Sequence, residues 1–136
     1  MRRGILGCLV IISVLATDIW TSARLLAEER TIQGEVVDPA MYLKDGRRGP
    51  ELTDQTYEAV DGSQTLAVLE EGTNTLYLLL AEQPGEDPNE LVYDYVNQQV
   101  RVKGTLYERG DMRGIVAVSV EPLAATSQPS AASTRQ

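Results

Sequence analysis

The chain has 136 residues, 43% of them apolar, and carries 12 Lys and Arg against 20 Asp and Glu, with neither histidine nor phenylalanine. That length makes one domain and is short for two. A net charge of -8 excludes a general affinity for nucleic-acid backbones or anionic lipid, and the missing histidine removes the commonest neutral-pH proton carrier and transition-metal ligand.

In chain order, Met1-Arg2-Arg3 is a basic start, followed by an apolar run from Gly4 to Ala16 and by small residues at Thr21, Ala23 and Ala27. This reads as a secretory signal over residues 1–27 and predicts a periplasmic or secreted protein. The apolar run is short against the roughly 20 residues of a membrane span; Ile19 and Trp20 leave an uncleaved inner-membrane anchor as the alternative. Cys8 falls inside the apolar run and is the only cysteine, so cleavage after Ala27 would leave a chain that can form no disulfide.

The folded body is expected over residues 31–123. Thr31–Asp38 alternates as a strand with Ile32, Gly34 and Val36 on one face, Gly34 marking a bulge or bend. Turn punctuation at Asp45-Gly46, Gly49-Pro50 and Asp61-Gly62 makes 39–62 a long connection holding one short helix over Glu51–Val60. Gln64–Glu70 and Asn74–Ala81 are strands joined by Glu71-Gly72-Thr73, and the run Leu76–Leu80, apolar on both faces, predicts a centrally buried strand. Asp87 as N-cap, Pro88 at the first position and Glu90 in a capping box predict a helix over Pro88–Val96, with Leu91, Val92 and Tyr95 as its apolar stripe. A hairpin follows. Its first strand, from Gln98 to Tyr107, puts Val100, Val102 and Leu106 opposite Arg101, Lys103 and Thr105, and its second puts Val116, Val118 and Val120 on one face. Residues 124–136, rich in Ala, Ser, Thr, Pro and Gln, predict a disordered tail.

Five strands, a helix between the third and fourth and a short helix in the first loop make a mainly β chain laid out as an OB-fold-like barrel, whose first and fourth loops usually hold ligands. The residues Gly34–Lys44, Gly46–Gly49, Gln64–Leu69 and Val100–Gly104, with the closing hairpin, resemble a group of small exported bacterial OB-like proteins. In that group the first loop often carries Cys-Tyr-Leu and then His-x-x-Cys-Ala-x-x-Cys, which implies a metal or haem-linked site. Here Met41, Leu52, Gln55 and Ala59 stand at the ligand positions, and one thioether cannot replace four soft or imidazole donors, so neither metal nor cofactor is expected.

What remains for binding is the basic cluster Lys44, Arg47 and Arg48, which with Tyr42 could grip an anionic ligand or a partner's carboxylates. Tyr77, Tyr93, Tyr95 and Tyr107 could form a stacking surface. Arg109-Gly110-Asp111 spells an adhesion tripeptide, which a glycine turn with charges in water explains. No nucleophile elbow, phosphate-cradling loop or calcium loop is present. The expectation is a non-enzymatic accessory module that binds a protein partner in the cell envelope through Tyr42, Lys44, Arg47 and Arg48, with Tyr77 and Tyr107 as further candidates. The alternative is small-ligand or metal handling inherited from the ligand-bearing relatives.

Overall fold

The computed structural model describes residues 27–124. The signal or anchor expected at 1–27 and the tail expected at 124–136 therefore lie outside the described residues, apart from Ala27 and Ala124. Among the described residues, no helix is long and apolar enough to cross a membrane.

Also among the described residues, five strands, β1 (Glu28–Val37), β2 (Ala67–Glu70), β3 (Leu76–Leu79), β4 (Gln99–Arg109) and β5 (Met112–Pro122), close into a barrel in the order β1-β2-β3-β5-β4. Only the β3–β5 contact is parallel, and it spans just Leu78↔Gly114 and Leu79↔Ile115. This is the Greek-key OB layout that the order and spacing of the sequence predict. The alternation read in β4 holds, with Val100, Val102 and Leu106 inside and Arg101 and Lys103 outside. Ile32 and Val36 from β1, Leu66 and Val68, Tyr77 and Leu79 from β3, and Ile115 from β5 complete one core. Each such side chain contributes about 1.5–3 kcal/mol on burial.

Closing so small a barrel forces two backbones close together. β1 pairs with β4 over Glu28–Glu35 and with β2 over Gly34–Val37, so the chain changes neighbours at Gly34. A Cβ at Gly34 would stand on the Leu69 carbonyl oxygen, and one at Gly104 on the Val116 carbonyl oxygen. Glycine at both places is a condition of closure.

Three expectations need correcting. In β5 the register steps from Lys103↔Ser119 to Gly104↔Ala117, so Val118 is an extra residue. The bulge reverses side-chain parity: Ile115, Ala117 and Val120 face the core, while Val118 is exposed and does not share a face with Val120. The connection 39–62 holds more than one short helix. Asp38 accepts a hydrogen bond from Ala40 N at 2.7 Å, and Pro39 starts α1 (Pro39–Asp45); a 3₁₀ turn at Pro50–Leu52 then leads into α2 (Thr53–Asp61). Finally, no α-helix runs from Pro88 to Val96; the segment is a series of turns with one 3₁₀ helix, Tyr93–Tyr95.

The reason for the last difference is tertiary. Asp87 does accept from Asn89 N at 2.9 Å as a cap would, but the buried Asn89 side chain is spent on the β2 end of the barrel. Its Oδ1 accepts from Leu66 N at 2.8 Å and its Nδ2 donates to Gln64 O at 3.0 Å. Val92 and Val96 are then drawn into the core, and Asn97, at φ 56°, donates its N–H to Val36 O at 2.8 Å. A regular helix could not meet both anchors.

Candidate functional site

The first loop is a fixed structure. α1 ends where Gly46 N donates to Tyr42 O at 2.8 Å, and Lys44 in its last turn suits the exposed carbonyls there. Further along, the buried Glu35 carboxylate accepts from Gly49 N at 2.6 Å, a charge-assisted bond that ties the loop to β1. Lys44, Arg47 and Arg48 project into solvent, and Arg47 meets Asp45 at 3.8 Å in an exposed pair that adds little stability. Tyr42 instead packs on an outer cluster of Val37, Ala67 and Leu69, which Leu76 and Leu78 also flank. So α1 covers part of the outer β2–β3 face.

Tyr77 and Tyr107 do not join that loop. Both line a polar cavity of about 400 Å³ at one barrel mouth, with Arg30, Glu70, Thr73, Glu108 and Arg113 among the other walls. Thr73 donates to Glu70 Oε2 at 2.7 Å, the Tyr77 hydroxyl lies 3.5 Å from the same oxygen, and Arg30 stands 3.9 Å from Glu70 Oε1. Burial first, then the Glu70 charge, push the Tyr77 hydroxyl above the ordinary tyrosine value, with Arg30 and Arg113 pulling the other way. Tyr77 is thus a neutral donor. The expected tyrosine stacking surface is not assembled: Tyr77 and Tyr95 pack on the core, and Tyr93 meets Tyr57 in a tilted pair with ring centroids 5.0 Å apart, the Tyr57 hydroxyl donating to Tyr93 O at 3.0 Å.

An apolar surface that no sequence motif marks adjoins both places, sharing Leu78 with the cluster under Tyr42 and Tyr107, Glu108 and Arg113 with the mouth cavity. Because β3 and β5 pair at only two positions, the end of β3 and the start of β5 leave an apolar groove of about 230 Å³. Leu78, Leu80, Tyr107 and Met112 line it, and Glu108, Arg109 and Arg113 form its charged border. The run Leu76–Leu80 is therefore not buried on both sides: Tyr77 and Leu79 face the core, Leu76 and Leu78 are half-buried, and Leu80 is 38% exposed. Met112 is 68% exposed beside the two-residue turn Gly110-Asp111. The one available signal was an apolar residue, Met112, inside the otherwise polar tip Glu108–Arg113.

At the positions that resemble ligand sites, Met41 and Ala59 are half-buried, Leu52 is buried and Gln55 is exposed. Among the described residues, no three Asp, Glu, His or Cys side chains gather where they could hold a metal ion. Comparison with protein-family models, curated proteins and solved structures finds no match to this chain.

Proposed function

We propose that the chain is an exported, non-catalytic binding module that works by contact with a protein partner in the cell envelope. On this reading it is an OB-like relative of the small exported proteins it resembles, with ordinary helix residues where they carry ligands. The observation that carries the reading is the uncovered apolar strip Leu78, Leu80, Tyr107 and Met112. It runs from Leu78, which flanks the same outer cluster as Tyr42 of the first loop, to the β4–β5 hairpin at Tyr107 and Met112, and OB barrels commonly bind through these loops. Single exposed apolar side chains are ordinary, whereas a contiguous strip rimmed by charge marks a contact surface. Methionine at its exposed end suits a surface that must adapt to another chain.

Affinity purification from envelope extracts tests this with two sets of variants. Leu80→Ser with Met112→Ser removes the strip; Lys44→Glu with Arg47→Glu and Arg48→Glu reverses the loop. Loss of a stoichiometric partner with the first set, at an unchanged melting temperature, supports the strip as the contact. Loss only with the second set moves the contact to Tyr42 and the loop cations. A partner retained by both sets contradicts the reading.

The mouth cavity favours a second reading, a small polar ligand held between Arg30, Glu70, Tyr77 and Arg113. A ligand bound only by the native state raises the melting temperature by mass action, so a thermal-shift screen separates the two.

A further inference from the structure

The apolar strip does not stop at Leu80. The same side chain forms one wall of a second cleft, of about 310 Å³, bounded by β5 at Val116 and Ala117 and by the β3–β4 connection at Leu91. Leu91 is 44% exposed, so this cleft too has an apolar floor open to solvent.

Its rim differs from that of the first groove. Glu82, Glu86, Asp87 and Glu90 line it, and no lysine or arginine does. Two of these carboxylates are held in place by backbone amides: Glu86 Oε2 accepts from Gln83 N at 3.0 Å and Asp87 Oδ1 from Asn89 N at 2.9 Å. None of the four meets a cation among the described residues, where the ion pairs use Glu29, Asp45, Glu70, Glu108 and Glu121 instead. The sequence makes this asymmetry hard to neutralise from within. Between Arg48 and Arg101 there is no lysine or arginine at all, against 11 Asp and Glu. An apolar floor under an uncompensated negative rim selects an occupant that brings both apolar side chains and positive charge, because like charge is rejected and opposite charge speeds encounter.

We propose that this cleft docks a cationic, amphipathic peptide segment of a protein partner, with its apolar side chains on Leu80 and Leu91 and its lysines or arginines against Glu82, Glu86, Asp87 and Glu90. The inference rests on the protein-binding reading and adds to it the chemistry of the partner and a second stretch of the contact.

The test uses the full chain and two fluorescent synthetic peptides with the same leucines, one interleaved with lysine and the other with glutamate. Anisotropy titrations should show the lysine peptide binding at least about tenfold tighter at low salt, with the difference screened out toward about 1 M salt. Glu82→Lys with Glu90→Lys, two exposed positions outside the hydrogen-bonded caps, leaves two cations against two carboxylates on the rim and should abolish the preference. Leu91→Ser should weaken the lysine peptide several-fold at an unchanged melting temperature. Equal affinity for both peptides, or a preference that survives the charge reversal, overturns the proposal. So does a cleft that proves to be filled by a second copy, seen as a dimer in sedimentation that Leu91→Ser dissolves. If the peptides fail while a partner is still lost with Leu80→Ser and Met112→Ser, the inference falls and the protein-binding reading stands. If the lysine peptide binds as described but no partner is retained through the strip, the reading falls instead.

Discussion

Asn89→Ala is the sharpest test of how the barrel is held shut. The Asn89 side chain is buried and satisfies two backbone groups at the entry to β2, Leu66 N at 2.8 Å and Gln64 O at 3.0 Å. Alanine leaves the Leu66 N–H without a partner inside the protein, which costs about 1–3 kcal/mol. The Gln64 carbonyl is half-buried and partly reachable by water, so its lost bond costs about 0.5–1.5 kcal/mol. Together these give about 1.5–4.5 kcal/mol, a large share of the roughly 5–15 kcal/mol that holds a domain of this size. The corresponding fall in melting temperature is about 10–25 °C. Urea unfolding followed by circular dichroism measures it, with an unchanged denaturant slope as the control that the folded and unfolded states are the same. Asp87→Ala, which removes only the bond to Asn89 N, should cost about 1 kcal/mol. A loss below about 0.5 kcal/mol for Asn89→Ala would show that the turns over Pro88–Val96 hold without this clamp, and the reason given for the missing helix would be wrong.

Gly104→Ala should destabilise by more than about 3 kcal/mol or prevent folding, since its Cβ would meet the Val116 backbone carbonyl; a chemical melt with a neutral or stabilising result would contradict the closure argument. Glu35→Ala should free the loop at Gly49 and speed tryptic cleavage after Arg47 and Arg48, whereas Glu35→Gln, which keeps an acceptor, should restore most of the protection; equal rates for all three proteins would show that the tie does not hold the loop. Tyr77 titrates above the ordinary tyrosine value, chiefly through burial and then through Glu70. Its share of stability is therefore present below about pH 10 and lost as pH rises through the folded value, because the unfolded phenol ionises first. Tyr77→Phe should lose less stability than the parent above that pH, and phenolate absorbance should show one late-titrating group removed; a parent and variant with parallel alkaline curves would contradict the assigned environment.

The sequence was legible where local pattern and tertiary role agree. In β4 the alternation of Val100 and Val102 with Arg101 and Lys103 reads straight into core and surface, and the hairpin around Gly110-Asp111 follows from its turn chemistry. Parity in β5 was not legible, because one unpaired valine, Val118, turns the strand over and leaves no mark in composition. The signals that start and stop α1, Asp38-Pro39 and Gly46, are equally the signals of turns, and only the backbone bonds from Tyr42 N to Asp38 O and from Gly46 N to Tyr42 O decide between them. At Asp87 the side-chain acceptor was read correctly, but Glu90 closes no capping box with it, and the segment behind obeys Asn89 and Val36 rather than its own helical preference. Among the candidate residues, Tyr42, Lys44, Arg47 and Arg48 do share one fixed loop, while Tyr77 and Tyr107 belong to the barrel mouth. Leu80 stays exposed because the β3–β5 pairing ends at Leu79, and Met112 because it stands at the hairpin tip; their meeting in one strip is a property of the closed barrel and of no single stretch of sequence.

The central claim, that the chain meets a protein partner through the uncovered strip, is tested most directly by photo-crosslinking in intact cells. A photoreactive residue would replace Met112 in one strain and Val118 in another, two exposed positions, of which only Met112 lines the strip. A single cross-linked species is expected from Met112 and none from Val118. The same species from both positions, or none from Met112, would contradict it.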